Sequence, residues 1–554
     1  MRISRIAAPI GISGNERQQG GSRTNETFRH SRQCRHRGAD HCLGRAGGHP
    51  GRYPGHRRQD RRSDITLDPA QSFEFSGAEY NLNVYDKLIA FDPKNLGPLV
   101  PGLAVKWSLA DDGVTYTFKM RKGVKFHSGN PVTARDAEFS LRRAVKLKKT
   151  PSFILTQFGF TPENVDEKIK ASDDETLVIV TDQPYAPSFV YNCLTATIGS
   201  IVDSKLVMEH AKDGDFGNEW LKTHDAGTGA YKLRVWKPNE LYALDRAGDY
   251  FRGKVAMKHV FVRHIDESSA QRLLLEKGDV DIARKLTPDD IAAIASNPDL
   301  KVENDLKGRI MYISLNQKVK PLNDPKVIQA MKYLIDYEGM TKSFLRGQYV
   351  VHQAFEPLTY LGELKDNPFK LDVARAKSLL AEAGYPNGFP VKIYVRNAQD
   401  RLEIAQSLQN TFGQAGIKAE LVVGTGKQTL TVYRARKHEI YMGAWGPDYP
   451  DPNTNADTFA SNPDNRDEAK LTGKLAWRNA WDIPQLTKMT KAAVVERDTA
   501  KRARMYVDIQ KEVQKRGPFA IMFQKIIQSA MRKNVNGFVT GGAISNAHYW
   551  TVTK

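Results

Sequence analysis

The chain has 554 residues, 40% hydrophobic and 26% charged, with a net charge of +19. That length exceeds one compact core and predicts two to four domains in a globular protein of ordinary composition. There is no run of about 18 apolar residues, which excludes a membrane-spanning helix, and three cysteines, Cys34, Cys42 and Cys193, make no disulfide framework.

The charge is uneven. Residues 1 to 62 hold 14 Arg, no Lys and 4 acids, whereas the remaining 492 residues balance 68 Lys plus Arg against 59 Asp plus Glu. The head has no hydrophobic period of 2 or 3.6 residues and no apolar core of a secretory signal. Its longest apolar patch, Ile6 to Ile12, is broken by Pro9 and Gly11. Three readings stand: a disordered basic arm for nucleic acid, a metal tract built on Cys34, Cys42 and five histidines, or translation out of frame. The Cys-x7-Cys spacing fits no zinc module. The third reading is preferred, because GC-rich codons for Ala, Leu and Val read out of phase yield Arg, Gly, His and Pro. It implies a signal peptide lost to a frameshift upstream of Asp64.

From Asp64 the pattern becomes that of a folded protein. Tyr116 to Met120 alternates as a strand after an Asp111-Asp112-Gly113 turn, and Val124 to Phe126 is expected to continue it. Thr133 and Asp136 have capping-box spacing at a helix start. Val178 to Val180 reads as a strand, as does the segment from Gly229 to Trp236. Ser268 to Glu276 is helical, Asp281-Ile282 starts a short strand, and Met311 to Asn316 is another. Asp324 to Ile335 shows one apolar helical face. Asp372 caps a helix that ends at Gly384. Val391 to Val395, Glu403 to Ala415 and Ile417 to Val423 follow as strand, helix and strand, which implies a parallel α/β layer. One long helix is expected over Ala492 to Lys515. There is no internal repeat.

Catalytic and metal motifs are missing. HExxH, CxxC and GxSxG do not occur. Gly424 to Thr429 hints at a phosphate loop, but position 421 is Leu and position 428 is Gln, where Ser or Thr must hold magnesium. Gly227-Thr228-Gly229 opens no helix and cradles no dinucleotide. His127 reads as a solvated or structural histidine. No cofactor and no metal site are expected, and the balance favours binding over catalysis.

The segment GAWGPDYPDPN, residues 443 to 453, is different in kind. Three prolines forbid a helix or a central strand there, so it reads as a stiff loop presenting Trp445, Asp448 and Asp451. A tryptophan in such a loop seeks apolar cover, from the core or from a ligand.

Ordered stretches along the chain then converge. They are LDPAQSFEF (67–75), NVYDKLIAFDP (83–93), PGLAVKWSLADDGVTYTFKMRKGVKFHSGNPVTARD (101–136), GTGAYKLRVWKPNE (227–240), DRAGDYFRG (245–253), AMKYLIDYEGM (330–340), AKSLLAEAGYPNGF (376–389) and AWGPDYPDP (444–452). From about Asp64 to its C-terminus the chain resembles the dipeptide- and oligopeptide-binding proteins of bacterial ABC importers, the extracellular solute-binding family 5. The resemblance implies a two-lobed α/β periplasmic-binding fold with an extra inserted domain. Lobe one is expected over 63–310 plus 526–554, the insertion at about 108–217 and lobe two over 311–525, with residues 1–62 outside the fold as a disordered or frame-shifted leader.

The resemblance also implies a periplasmic, monomeric receptor that catalyses nothing. It closes on a short peptide and hands it to two transmembrane permease subunits driven by two ATP-binding subunits, with no nucleic acid as partner. The family's Trp-x-x-Asp loop maps onto Trp445-Gly446-Pro447-Asp448. Asp448 would pair the ligand's α-ammonium, and Trp445 and Gly446 would wall the pocket. Arg401 is a loosely aligned candidate for the ligand's carboxylate, with an ordinary surface arginine as the competing reading. Alternative ligands in the family are opines, oligosaccharides, nickel complexes and haem. A regulator in which such a domain follows a DNA-binding head is a further alternative, and it conflicts with the absence of an apolar helical face in residues 1–62.

Overall fold

In the computed structural model, the described residues are 3–7, 66–92, 95–540 and 547–554. The readings of the head as basic arm, metal tract or leader fall almost wholly outside them. Among the described residues a sheet of eleven strands forms the spine. Its order starts at Lys418–Gly424 and runs through Pro390–Arg396, Ile440–Trp445, Leu300–Leu315 and Phe519–Arg532. It continues through Ile282–Arg284, Ile3–Ala7, His259–Arg263, Leu241–Arg246 and Tyr231–Lys237, and Tyr349–Val351 pairs with Phe519–Arg532 off this path.

Two long strands cross the middle of the sheet. Leu300–Leu315 runs antiparallel to Phe519–Arg532, Leu300 to Leu306 facing Ile526 to Arg532. The ladder breaks between Leu306 and Ile310 and resumes opposite Gln524. Lys307, Gly308 and Arg309 occupy that break.

The apolar cores lie on either side of it. One gathers Leu67, Tyr80, Tyr231, Val260, Met531 and Tyr549. Another gathers Met311, Ile328, Leu380, Ile393, Leu408 and Phe523, and a third is built on Tyr312, Phe459, Tyr506 and Phe519. A separate core spans Ala70 to Ile201 beneath a four-stranded sheet, and Tyr449 is its single member from far along the chain. Each fully buried Leu, Ile or Phe in these cores contributes about 1.5–3 kcal/mol.

Local expectations mostly hold, for physical reasons that are visible. The Thr133 amide donates to Asp136 Oδ2 at 2.9 Å, completing the capping box of the Ala134–Lys146 helix. Pro390–Arg396 and Lys418–Gly424 pair in parallel across the helix Gln399–Gln414. The phosphate-loop lookalike is an ordinary helix start: Thr425 caps Gly426–Arg434, and Gln428 is its capping-box partner. His127 is buried and structural, Nδ1 lying 2.8 Å from Asp225 and Nε2 2.9 Å from the Gly229 carbonyl.

Four expectations need correction. Val124 to Phe126 forms no strand, only a bridge from Lys125 to Pro131. The last long helix is two, Pro484–Val495 and Thr499–Arg516, because Asp498 accepts from the Lys501 amide and starts a new helix. Gly443 to Trp445 is not loop but the end of a central strand, since the prolines begin only at Pro447. Ile3–Ala7, expected to lie outside the fold, is a parallel strand between His259–Arg263 and Ile282–Arg284. Strand pairing there uses backbone groups, so a short stretch can fill the slot without strict alternation.

Candidate functional site

The loop after the Ile440–Trp445 strand is fixed from several directions. Trp445 lies opposite Ile310 in the central ladder. Its indole Nε1 donates to Asn455 Oδ1 at 3.0 Å, and its ring meets Phe459 edge-on. Tyr449 is buried against Phe189, and its hydroxyl donates to Gln157 Oε1 at 3.3 Å.

Asp451 is wholly buried in a two-pronged ion pair with Arg502. Nη1 donates to Oδ2 at 2.9 Å and Nη2 to Oδ1 at 2.7 Å. Asn192 also donates to Asp451, and Arg502 reaches Ser188. Burial opposes the Arg502 charge, but Asp451 and Tyr506 outweigh it and leave the guanidinium pKa raised.

Asp448 is the loop's other carboxylate, and its state is opposite. Its amide donates to Thr454 Oγ1 at 3.2 Å. Its carboxylate has no hydrogen-bond or ion-pair partner among the described residues, although half-buried. Burial alone pushes its pKa up to about 7. Beside it, a Cβ placed on Gly446 would meet nothing within 4 Å, so open space adjoins Trp445. The arrangement is a desolvated carboxylate next to a vacancy walled by an aromatic ring, which suits a cation that brings its own hydrogen-bond donors.

The other half of the site gathers at the break in the central ladder. Arg309 precedes Ile310; extending the register by one residue sets it opposite Gly446. Arg401, on the first turn of Gln399–Gln414, is only 7% exposed. Neither guanidinium has a hydrogen-bond or ion-pair partner among the described residues. Burial, then the nearby Arg309 charge, lowers the Arg401 pKa against the pull of Asp400. The reading of Arg401 as a surface residue is therefore wrong, because the helix start is turned inward beneath the sheet. Lys525, on the long strand Phe519–Arg532, lies 4.1 Å from the centre of the Tyr349 ring, and Tyr349 donates to Asp400 at 2.7 Å. Burial brings Lys525 down to about 8, with Asp400 opposing and Arg309 and Lys285 adding to the drop.

Of the sequence-predicted residues, Trp445 ends the Ile440–Trp445 strand, Gly446 and Asp448 follow it in the loop, and Arg401 feels Tyr441 at the start of that strand. Arg309 and Lys525 were missed. Their signal was present as charges inside strand-forming stretches, LKGRIMYISL and FQKIIQS, where an uncompensated cation is costly. Among the described residues no group of His, Cys, Asp and Glu could hold a metal.

Residues 98–467 match the family described as bacterial extracellular solute-binding proteins, family 5. The probable D,D-dipeptide-binding periplasmic protein of Escherichia coli is 28% identical over 86% of this chain and 89% of its own length. The dipeptide-binding protein of the same organism is 25% identical over 84% and 88%. Among solved structures, a periplasmic binding protein of Helicobacter pylori in complex with the peptide STSA has a TM-score of 0.73 at 24% identity, covering 88% of this chain and 95% of that one. A binding protein in complex with agropinic acid reaches 0.70 at 22%, covering 89% and 96%. The fold is thus the two-lobed one of the periplasmic binding proteins.

Proposed function

Because this chain belongs to family 5 of the bacterial extracellular solute-binding proteins, we propose that it captures short peptides and delivers them to an ABC importer. Family members are binding proteins that work with importer permease and ATPase subunits. For this chain we infer a periplasmic monomer that carries out no reaction and docks on two permease and two ATP-binding subunits.

The lobes follow the sequence assignment: 63–310 plus 526–554, and 311–525, with the insertion near 108–217. The segregation of cores about residues 307–309 supports it. Closure is then a rigid-body motion about the two long strands.

The observation that carries the reading is a pair of opposite unpaired charges by one strand. Asp448 accepts the ligand's ammonium, and Arg401 with Arg309 accepts its carboxylate, as in a zwitterion held at both ends. Each guanidinium offers a planar fork matched to a carboxylate. Trp445 covers the chain between, and Gly446 leaves room for it. Relatives named for D,D-dipeptides and dipeptides support a peptide as that zwitterion.

The test is thermal denaturation with free di- to pentapeptides and their Nα-acetylated copies. A ligand at a hundred times its Kd adds about 2.7 kcal/mol. Free but not acetylated peptides are expected to stabilise the protein, and Asp448→Asn to abolish the effect. No response to any peptide would overturn the peptide reading. An opine also carries amine and carboxylate groups, and stabilisation by such a compound alone would replace the peptide with it.

A further inference from the structure

Asp86 and Lys87 cross from one apolar core to another. Tyr85 before them lies in the core of Tyr80 and Tyr231, and Leu88 after them lies in the core beneath the four-stranded sheet. Three distant segments close on this crossing. Lys87 bridges Ser200 in antiparallel fashion, so their side chains leave the same face. Tyr250 donates to Asp86 Oδ1 at 2.8 Å and Thr228 to Oδ2 at 3.0 Å. The Trp550 ring meets Tyr250 edge-on at 5.7 Å, and His548 feels the charges of Arg252 and Lys87.

Donors outnumber acceptors here. Lys87, Ser200 and His548 are each more than nine-tenths buried. The Ser200 hydroxyl, His548 Nδ1 and the Trp550 indole nitrogen are shut off from solvent and have no hydrogen-bond partner. Lys87 Nζ has neither a hydrogen-bond nor an ion-pair partner among the described residues. Arg252 donates to the Pro101 carbonyl at 3.1 Å and forms no ion pair among the described residues. Asp86 is the carboxylate that both cations share, and burial raises its pKa against the pull of Arg252. Burial brings Lys87 down to about 8 with Asp86 opposing, so its charge persists at pH 7. Burial, then Arg252 and Lys87, brings His548 down to about 3 and keeps it neutral. Two cations thus face one carboxylate. The excess is a single positive charge, and such a charge held out of water is costly unless an anion pairs it.

We propose that this crossing is a second binding site, which holds a small monocarboxylate of the size of formate or acetate. A singly charged anion matches the excess, and the depth of the site admits few atoms. A carboxylate has two oxygens with about four acceptor positions, enough for donors that arrive from different segments. Lys87 and Ser200 supply an ammonium and a hydroxyl from one face, and Trp550 and Arg252 supply N–H donors. The proposal stands apart from the peptide reading, because none of these residues belongs to the strand loop or to the Arg309 and Arg401 group.

Saturation-transfer NMR of the acetate methyl group against the full chain tests this, with ionic strength held by sodium chloride. Acetate also suits Arg401, so the titration is run in the wild type and in Arg401→Gln, where that position is closed. Acetate is expected to bind Arg401→Gln. Adding Lys87→Gln should weaken it at least tenfold. Adding Trp550→Phe instead, which keeps a ring and removes the donor, should weaken it about tenfold, as the loss of one hydrogen bond to a charged group gives. Formate should displace acetate at lower concentration than sulfate does. Absence of acetate binding in Arg401→Gln overturns the proposal and leaves the peptide reading untouched. Acetate binding that neither Lys87→Gln nor Trp550→Phe alters overturns it equally. Displacement by sulfate or chloride at lower concentration than by formate overturns the assignment to a carboxylate.

Discussion

Replacing Asp448 with Asn should stabilise the empty protein while destroying its binding. The carboxyl's ordinary pKa is 3.8 and burial raises it to about 7. The folded state therefore holds its proton more tightly than the unfolded state does. Stability is full below pH ~4 and falls as pH rises through ~7, where folding must keep an unpaired carboxylate out of water. A rise of that size corresponds to at most about 4 kcal/mol. Asp448 keeps some contact with solvent, which screens the charge and reduces the cost to about 1–2 kcal/mol.

Asparagine mimics the protonated form at every pH. Scanning calorimetry of the two proteins should coincide at pH 4 and diverge by pH 8, with the variant melting roughly 1–2 °C higher if some 490 residues unfold together. Peptide binding at pH 8 should be lost in the same variant. If the variant melts at or below the wild-type temperature at pH 8, Asp448 is already paired in the empty protein and its role as an ammonium acceptor fails. If it melts higher yet still distinguishes free from acetylated peptides, another group receives the amine.

Other outcomes follow from the same geometry. Asp451→Asn strands the buried Arg502 guanidinium and should cost about 3–5 kcal/mol by calorimetry, partly recovered in Asp451→Asn/Arg502→Leu; a loss under about 1 kcal/mol would show that the pair holds nothing in place. Cys193 is fully buried, and burial, reinforced by the Asp451 charge, pushes its thiol well up. Iodoacetamide at pH 8 should leave it unmodified in the native protein and label it in guanidinium, as mass spectrometry of its peptide would show. Gly388 has φ +72°, and a Cβ there would sit 2.2 Å from the Gly416 carbonyl carbon. Gly388→Ala should therefore destabilise by more than about 1 kcal/mol, whereas Gly446→Ala should change stability by less than about 0.5 kcal/mol and weaken peptide binding by filling the space beside Trp445.

What could be read from the sequence and what could not divides along a physical line. Helix starts were legible, because Thr133 and Asp136, or Asp372 and the Arg375 amide, lie within one turn of each other. The loop's chemistry was legible as a set of residue types, and its proline spacing marked the stiff part. The sequence could not say which of the loop's two carboxylates was spoken for. Asp451 is neutralised by Arg502, 51 residues away, and Glu79 by Arg284, 205 residues away. Nothing local to either acid announces its partner. Arg401 shows the converse error. In the sequence it is one arginine among many on a polar helix face, and only the packing of that helix start against Tyr349 and the central ladder makes it a buried charge. Availability is thus a property of the whole charge set: Asp451 is closed to a ligand because Arg502 already holds it, whereas Asp448 has no such partner among the described residues.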